Sequence, residues 1–243
     1  MYTEFIEKHI NIPFYANLQA NSLGLDSREH SINRRMFDQH PLVTYKFNEI
    51  GFRTHSVVEV EPDAILVLGD SFTLGLGNNL ADRYTDILEQ QLSHQVLNFS
   101  LNGASNDWIA RTLQKLLKLF CPRAIIIHYT FSHRRERPFP NWHDDERTEC
   151  EPFYSSDENF NNWMTNFNLI CSTAGDIKLI HSFIPNWHDQ EIDYDNLGKN
   201  IIPPLPILDH ARDNFHYGPS THRALAAAIT NLLDRGLYQS LVL

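Results

Sequence analysis

From Asp63 onward the chain alternates short apolar runs with longer stretches of helical spacing, and few patterns restrict a fold more tightly. AILVLG (64–69), QVLNFS (95–100), AIIIHYT (124–130) and IKLIHSFIP (177–185) are largely apolar without strict alternation. Strands of that kind are buried on two faces, which is the situation of parallel sheets lying between helices. The segments between them agree. LADRYTDILEQQL (80–92), DWIARTLQKLLKLF (107–120) and NFNNWMTNFNLICSTAG (159–175) carry apolar residues at helical spacing. A last helix, THRALAAAITNLLDRG (221–236), is expected to begin after Pro219-Ser220 and to stop at Gly236. PPLPILD (203–209) is expected to contain a short fifth strand. The pattern predicts a mostly parallel α/β sheet covered on both faces, with ligands gathering at the carboxyl ends of its strands.

Residues 1–60 lack this rhythm. Asn, His and charged residues are scattered through them, and LVTYKFNEIGFRTHSVVEV (42–60) reads as two extended stretches around a turn at Asn48–Gly51. The expected organisation is an N-terminal extension, 1–60, packed on a main domain, 61–243. A long polar and aromatic segment, about 131–156, carries no clear element, and loops of such length inside compact domains are usually functional or mobile.

Composition narrows the partners. The net charge is −10, and the one basic cluster, Arg134-Arg135-Glu136-Arg137, is short, interrupted by an acid and read as local. Nucleic acid and anionic membranes both call for clustered Lys and Arg, so neither is an expected partner. Three cysteines, Cys121, Cys150 and Cys171, lack metal-type spacing and read as buried or half-buried free thiols. The opening MYTEFIEKHINIPF has no apolar stretch typical of a signal peptide, and no apolar run approaches the roughly 20 residues of a membrane span. A soluble, reducing, cytoplasmic setting is therefore expected. Gly75-Leu76-Gly77 lacks the third glycine of a dinucleotide fingerprint, and no P-loop pattern exists, so no cofactor is expected. His210, Asp213, His216 and His222 lie close in sequence without the spacing that sets ligands on one helical face, so no metal is expected either.

Two distant motifs carry the chemistry. The first apolar strand runs into Gly69-Asp70-Ser71-Phe72-Thr73-Leu74-Gly75. A tight turn there sets Ser71 at the carboxyl edge of the sheet, with its hydroxyl outward and its backbone N–H unpaired and able to serve an oxyanion. An ordinary helix-capping serine has the same local sequence. A serine hydroxyl becomes a useful nucleophile only with a base in hydrogen-bond reach. Asp213-x-x-His216, the only D-x-x-H in the chain, sits between the last strand and the last helix. On a turn, that spacing lets a carboxylate fix the imidazole tautomer while the other ring nitrogen takes a serine proton.

GDSFTLG (69–75), VLNFSLNGASND (96–107) and DNFH (213–216) resemble, in order, the first, second and last sequence blocks of the SGNH (GDSL-type) hydrolases. NEIGFR (48–53) is similar to a segment often found ahead of such domains. The resemblance covers about 63–236 and implies a flavodoxin-like three-layer sandwich with five parallel strands. It also implies a nucleophile and oxyanion donor at Ser71, a second donor at Gly103, a base at His216 and its orienting carboxylate at Asp213. One block departs. The family's G-x-N-D after the third strand supplies an oxyanion-hole Asn, whereas here the strand leads into HYTFSHRRE (128–136), leaving Ser132, His133, Asn102 or Asn106 as alternative donors.

Outside the resemblance, FPNWHD (139–144) and IPNWHD (184–189) repeat five residues in a row, each following a strand. Trp142 and Trp187 are accordingly expected to flank the substrate. The reading is a serine esterase forming an acyl-enzyme on a small-molecule or glycan ester, with carbohydrate O-acetyl groups favoured. The alternative is a non-catalytic module of the same fold that binds a glycan or a protein.

Overall fold

The computed structural model describes residues 10, 12–30, 33–39, 42–136 and 154–239. Its centre is a five-stranded sheet built from β3 (Ile65–Gly69), β4 (Val96–Ser100), β5 (Ala124–Tyr129), β6 (Lys178–Phe183) and β7 (Ile201–Ile202). The spatial order is β4-β3-β5-β6-β7, and every pairing is parallel. This is the flavodoxin-like order expected above. Ile65 pairs with Val96 on one side and Ala124 on the other, and Ala124 pairs in turn with Lys178. β3, β4 and β5 are buried along their whole length, which is why their sequences show no alternation.

Helices α2 (Ser71–Leu74), α3 (Tyr84–Leu92), α4 (Asn106–Leu116), α5 (Ser156–Ala174) and α6 (Pro219–Gln239) surround the sheet, a numbering that leaves α1 for the short helix Arg34–Gln39 in the N-terminal segment. α3 packs with α6, and α4 packs with α5. Adjacent residues of β5 show that these pairs lie on opposite faces. His128 meets Tyr84 of α3, while Tyr129 meets Trp163 and Phe167 of α5, and successive strand side chains point to opposite sides. Among the described residues no helix is long and apolar enough to cross a membrane.

Three boundaries differ from expectation. The fifth strand is Ile201–Ile202, paired with His181 and Ser182, rather than part of 203–209. Pro203, Pro204 and Pro206 lack the N–H groups a ladder requires. α6 continues through Gly236 to Gln239; a helical glycine costs only about 1 kcal/mol and ends a helix only where it turns left-handed. In the N-terminal segment the first stretch pairs as β1 (Gln19–Ala20) with β2 (Tyr45–Lys46), antiparallel, whereas 52–60 forms no strand. Cys121 is exposed and Cys171 partly buried, both as free thiols; Cys150 lies outside the described residues.

The segment ahead of the sheet is fastened by polar groups. Asn48 accepts from the backbone of Ile50 and Phe52, at 3.2 and 2.9 Å, and donates to the carbonyl of His55 at 2.8 Å. This Asx-type turn aims Arg53 into the interior, where it is fully buried. Its guanidinium donates to the carbonyls of Leu74, Gly75, Thr44 and Asn78 at 2.8–3.1 Å. NEIGFR thus clamps the end of the short helix that begins at Ser71.

Candidate active site

The chain reverses direction across the sheet at β3, whose neighbours β4 and β5 come from successive crossovers. The crevice at the carboxyl ends of these strands is where open α/β sheets hold ligands. Ser71 leaves β3 there. Gly69 is required just before it, because a Cβ at that position would lie 2.1 Å from Thr73 Oγ1 and 3.1 Å from the His128 carbonyl. Asp70, fully buried, caps α2 by accepting from the Phe72 N–H at 3.0 Å through Oδ1. Its other oxygen accepts from Thr130 Oγ1 at 2.6 Å and Arg134 Nη1 at 2.7 Å.

The D-x-x-H motif lies in a loop closed by the bridge between His210 and Tyr217 and by a bond from the Ala211 N–H to the His216 carbonyl. Asp213 Oδ1 accepts from the N–H groups of Phe215 and His216, both at 3.0 Å. Its Oδ2 lies 2.5 Å from His216 Nδ1. With Nδ1–H committed to the carboxylate, Nε2 is an acceptor, and the Ser71 hydroxyl donates to it at 2.8 Å. Burial pushes the Asp213 carboxyl upward. The bonds and charge of His216 and the bonds from the two backbone N–H groups outweigh it, and the net shift is downward. Asp213 therefore stays ionised beside the imidazole. The ring of His216 is packed on Phe72, 4.6 Å between centroids, which fixes its plane.

Ser71 and His216 open onto a groove of ≈ 270 Å³. Gly103 lines the same groove with a left-handed backbone, φ 75°. Among the described residues neither the Ser71 N–H nor the Gly103 N–H has a hydrogen-bond partner, so both are available to an oxygen in the groove. A larger hollow, ≈ 410 Å³, lies between the 46–56 segment and Arg83, and Ser71 does not line it.

The remaining expectations meet mixed fates. Ser132 is buried, with its N–H on the Trp187 carbonyl at 2.7 Å, and His133 stacks on Phe131. Neither lines the groove. Asn106 is occupied with the end of β5, donating to the carbonyls of Thr130 and Phe131 at 3.2 and 3.3 Å and accepting from the Thr130 N–H at 3.2 Å. Asn102 does line the groove. Trp187 corrects the expectation placed on it. Its indole is buried against Trp163 and Phe183 and donates to the Tyr194 hydroxyl at 2.6 Å, so it is core packing rather than a ligand-facing ring. Large aromatic surface is most stable where it is covered and its N–H is satisfied. Trp142, with the rest of FPNWHD, lies outside the described residues.

Sequence reasoning missed two groups. Arg134 enters the groove from the loop after β5, although its cluster read as a local surface feature. Gly24, Leu25 and His30 bring the N-terminal segment into the same groove. That segment is pinned by a buried ion pair. Arg212, next to Asp213, contacts Asp26 through Nε and Nη2 at 2.5 and 2.8 Å. Asp26 also accepts from the Tyr45 hydroxyl, which itself accepts from the Gly77 N–H at 2.8 Å. The signal for this lay in single residues, Asp26 and Arg212, without any periodic pattern.

No family model matches the chain, and no curated protein matches it. Solved structures are similar at low identity. The structure of TesA is similar over 70% of this chain and 98% of that one, at 15% identity and a TM-score of 0.47. The psychrotrophic esterase EstA from Pseudoalteromonas sp. is similar over 72% and 99%, at 10% identity and 0.47. A family two carbohydrate esterase from Clostridium thermocellum, in complex with cellohexaose, is similar over 74% and 66%, at 12% identity and 0.49.

Proposed function

We propose that the protein is a serine hydrolase that cleaves carboxylic esters through an acyl-enzyme on Ser71. The observation that carries this reading is the continuous relay from the Ser71 hydroxyl through His216 to the buried Asp213. Ser71 Oγ attacks the ester carbonyl carbon as its proton passes to His216 Nε2, and the carbonyl π pair moves onto oxygen. The Ser71 and Gly103 N–H groups hold that oxyanion. Collapse expels the alcohol, which takes the proton from His216. Water then attacks the acyl carbon, gives its proton to His216, and the returning proton restores Ser71. Asp213 stabilises the imidazolium in both halves and keeps the tautomer correct.

The groove is small, ≈ 270 Å³, and is bordered by His30, Asn102 and Arg134 as well as by Phe215. A short acyl chain on a polar alcohol suits that volume and lining, and carbohydrate O-acetyl groups are the proposed substrates. Trp142 is proposed as an aromatic flanking the alcohol; Trp142→Ala should raise KM with kcat unchanged. The segment before residue 61 is proposed to act as part of the same unit.

The test is turnover of p-nitrophenyl esters of increasing acyl length, followed by release of acetate from acetylated sugars, with Ser71→Ala as control. Acetate esters should be preferred, and Ser71→Ala should abolish turnover. Activity that survives Ser71→Ala would reject the nucleophile. An inactive wild type at every chain length would favour a binding module.

A further inference from the structure

The guanidinium of Arg134 is held in an unusual way for a surface-loop arginine. Its side chain is 14% exposed, and the residue lines the groove together with Ser71, Gly103 and His216. Nη1 is fixed by two acceptors, Asp70 Oδ2 at 2.7 Å and Thr130 Oγ1 at 3.0 Å. The plane is supported by the Phe131 ring, 5.1 Å from the guanidinium carbon to the ring centroid. Asp70 immediately precedes Ser71 and caps its helix, so Arg134 is tied to the backbone turn that places the nucleophile. Among the described residues its hydrogen bonds run through Nη1 alone. A guanidinium carries five N–H donors on three nitrogens in a rigid fork, which leaves the Nη2 and Nε donors without a partner among the described residues, on a side chain that lines the groove.

Two roles fit a cation at this place. It can attract a charged substrate, or it can donate to a substrate oxygen. The buried Asp70 carboxylate already compensates the positive charge at contact distance, so little net field remains to draw an anion. The donors remain. They are fixed before substrate arrives, and that is the property that makes a donor effective toward developing negative charge.

We propose that Arg134 is a catalytic residue which donates a hydrogen bond to the acyl oxygen of the bound ester, completing the oxyanion site with the Ser71 and Gly103 N–H groups. This rests on the esterase reading above. Arg134 keeps its protons throughout. The oxygen gains the carbonyl π pair on attack and returns it on collapse, and the guanidinium bond strengthens only in between.

The experiment compares p-nitrophenyl acetate with its carboxylate-bearing succinate analogue for wild type, Ser71→Ala, Arg134→Ala and Arg134→Lys, with urea unfolding of each. Arg134→Ala should lower kcat by about 10²–10³ for both esters with KM little changed, as for loss of one preorganised donor. Added methylguanidinium should restore part of that rate. Arg134→Lys keeps a cation on Asp70 but has no second nitrogen for the groove, so it decides the matter if the alanine variant does not fold. It should lose at least about tenfold in kcat on both esters while unfolding near the wild-type midpoint. Three results would overturn the proposal. A folded variant could keep wild-type kcat, the loss could be confined to KM for the succinate ester, or the loss could resist rescue and follow stability alone. Wild type lacking Ser71-dependent turnover would remove the esterase reading and this proposal together, whereas Ser71-dependent turnover with an indifferent Arg134 would remove only the proposal.

Discussion

The sheet and the segment that precedes it meet at one groove but are held there by different forces. In β3 and β5, Ile65 to Leu68 and Ala124 to Ile127 are 0–1% exposed, and each such side chain gains stability from leaving water whatever its exact partner. The N-terminal side depends on Arg53 under the Ser71 turn and on Asp26 beside Arg212, where every bond has a direction and every lost partner leaves a buried polar group behind. Ser71 and His216, the proposed nucleophile and base, belong to the first region, and part of the groove wall belongs to the second. Non-directional burial makes a platform that tolerates exchange among apolar side chains. Directional buried pairs make a junction that fails when one member is removed.

The contrast is sharpest at the two carboxylates that flank the loop of His216. Asp213→Asn leaves the loop geometry open to an amide but favours the wrong imidazole tautomer, and a loss of about 10⁴ in kcat is expected with little change in fold. Ester turnover and urea unfolding on the same sample check both halves. A mild kinetic effect would mean that Ser71 is not activated through His216. Asp26→Ala should do the reverse. Arg212 would be left as a buried charge without its partner, at a cost of about 3–5 kcal/mol in unfolding free energy. Replacing both, as Asp26→Leu with Arg212→Met, should recover most of it. If Asp26→Ala unfolds at the wild-type midpoint, the junction is not held as described, and the two regions differ less than their contacts suggest.

This difference also sets what could be read from the chain alone. Four of the five strands, the main helices and their order followed from apolar runs and 3.6-residue spacing, because burial of a whole strand or of one helix face leaves a local trace in the sequence; the fifth strand, expected in 203–209, lies at Ile201–Ile202. That Ser71, Asp213 and His216 could meet was legible because the serine follows a strand and because D-x-x-H is local, and the three side chains are hydrogen-bonded in the fold. Arg134 was legible as a residue but not as a participant. Its role comes from Asp70, 64 positions away in sequence, and a contact across that separation has no period. Asp26 and Arg212, 186 positions apart, are the stronger case of the same blindness. Trp187 failed for a related reason. A loop motif shows that a tryptophan follows a strand, but whether its ring turns outward or packs on Trp163 is decided by α5, a separate segment.

Within the sheet region polar groups are buried too, and they predict a smaller, graded effect. His128 and His181 are pushed down to about 4 and His222 to about 3, in each case chiefly by burial and, for His222, also by Arg83. All three are neutral in the fold, whereas in the unfolded chain they protonate near the ordinary value of 6.5. Between that value and about 4 the unfolded chain binds more protons, so stability is full above the window and falls as pH drops through it. Each group contributes up to about 1.4 kcal/mol per pH unit. Urea midpoints from about pH 7.5 down to about pH 5 should trace this decline, and His222→Gln should make it shallower by one group's share. An unaltered slope would mean that His222 is not held neutral.

The smallest effect is expected where the two regions touch. Gly24 has φ +56°, and a Cβ there would lie 2.8 Å from Asn102 Nδ2 across the groove. Gly24→Ala therefore meets two penalties, a left-handed backbone that costs an L-residue about 1–2 kcal/mol and a side-chain amide that must give way. The atom met is the far end of a side chain rather than backbone, so the stability loss should stay near the backbone figure. The kinetic consequence follows from the location. The displaced amide borders the space for substrate while Ser71, His216 and Arg134 keep their bonds, so KM should rise a fewfold with kcat unchanged. A fall in kcat instead would show that the N-terminal wall positions the reacting atoms themselves, and the division between a platform that carries the proposed relay and a junction that shapes the groove would have to be redrawn.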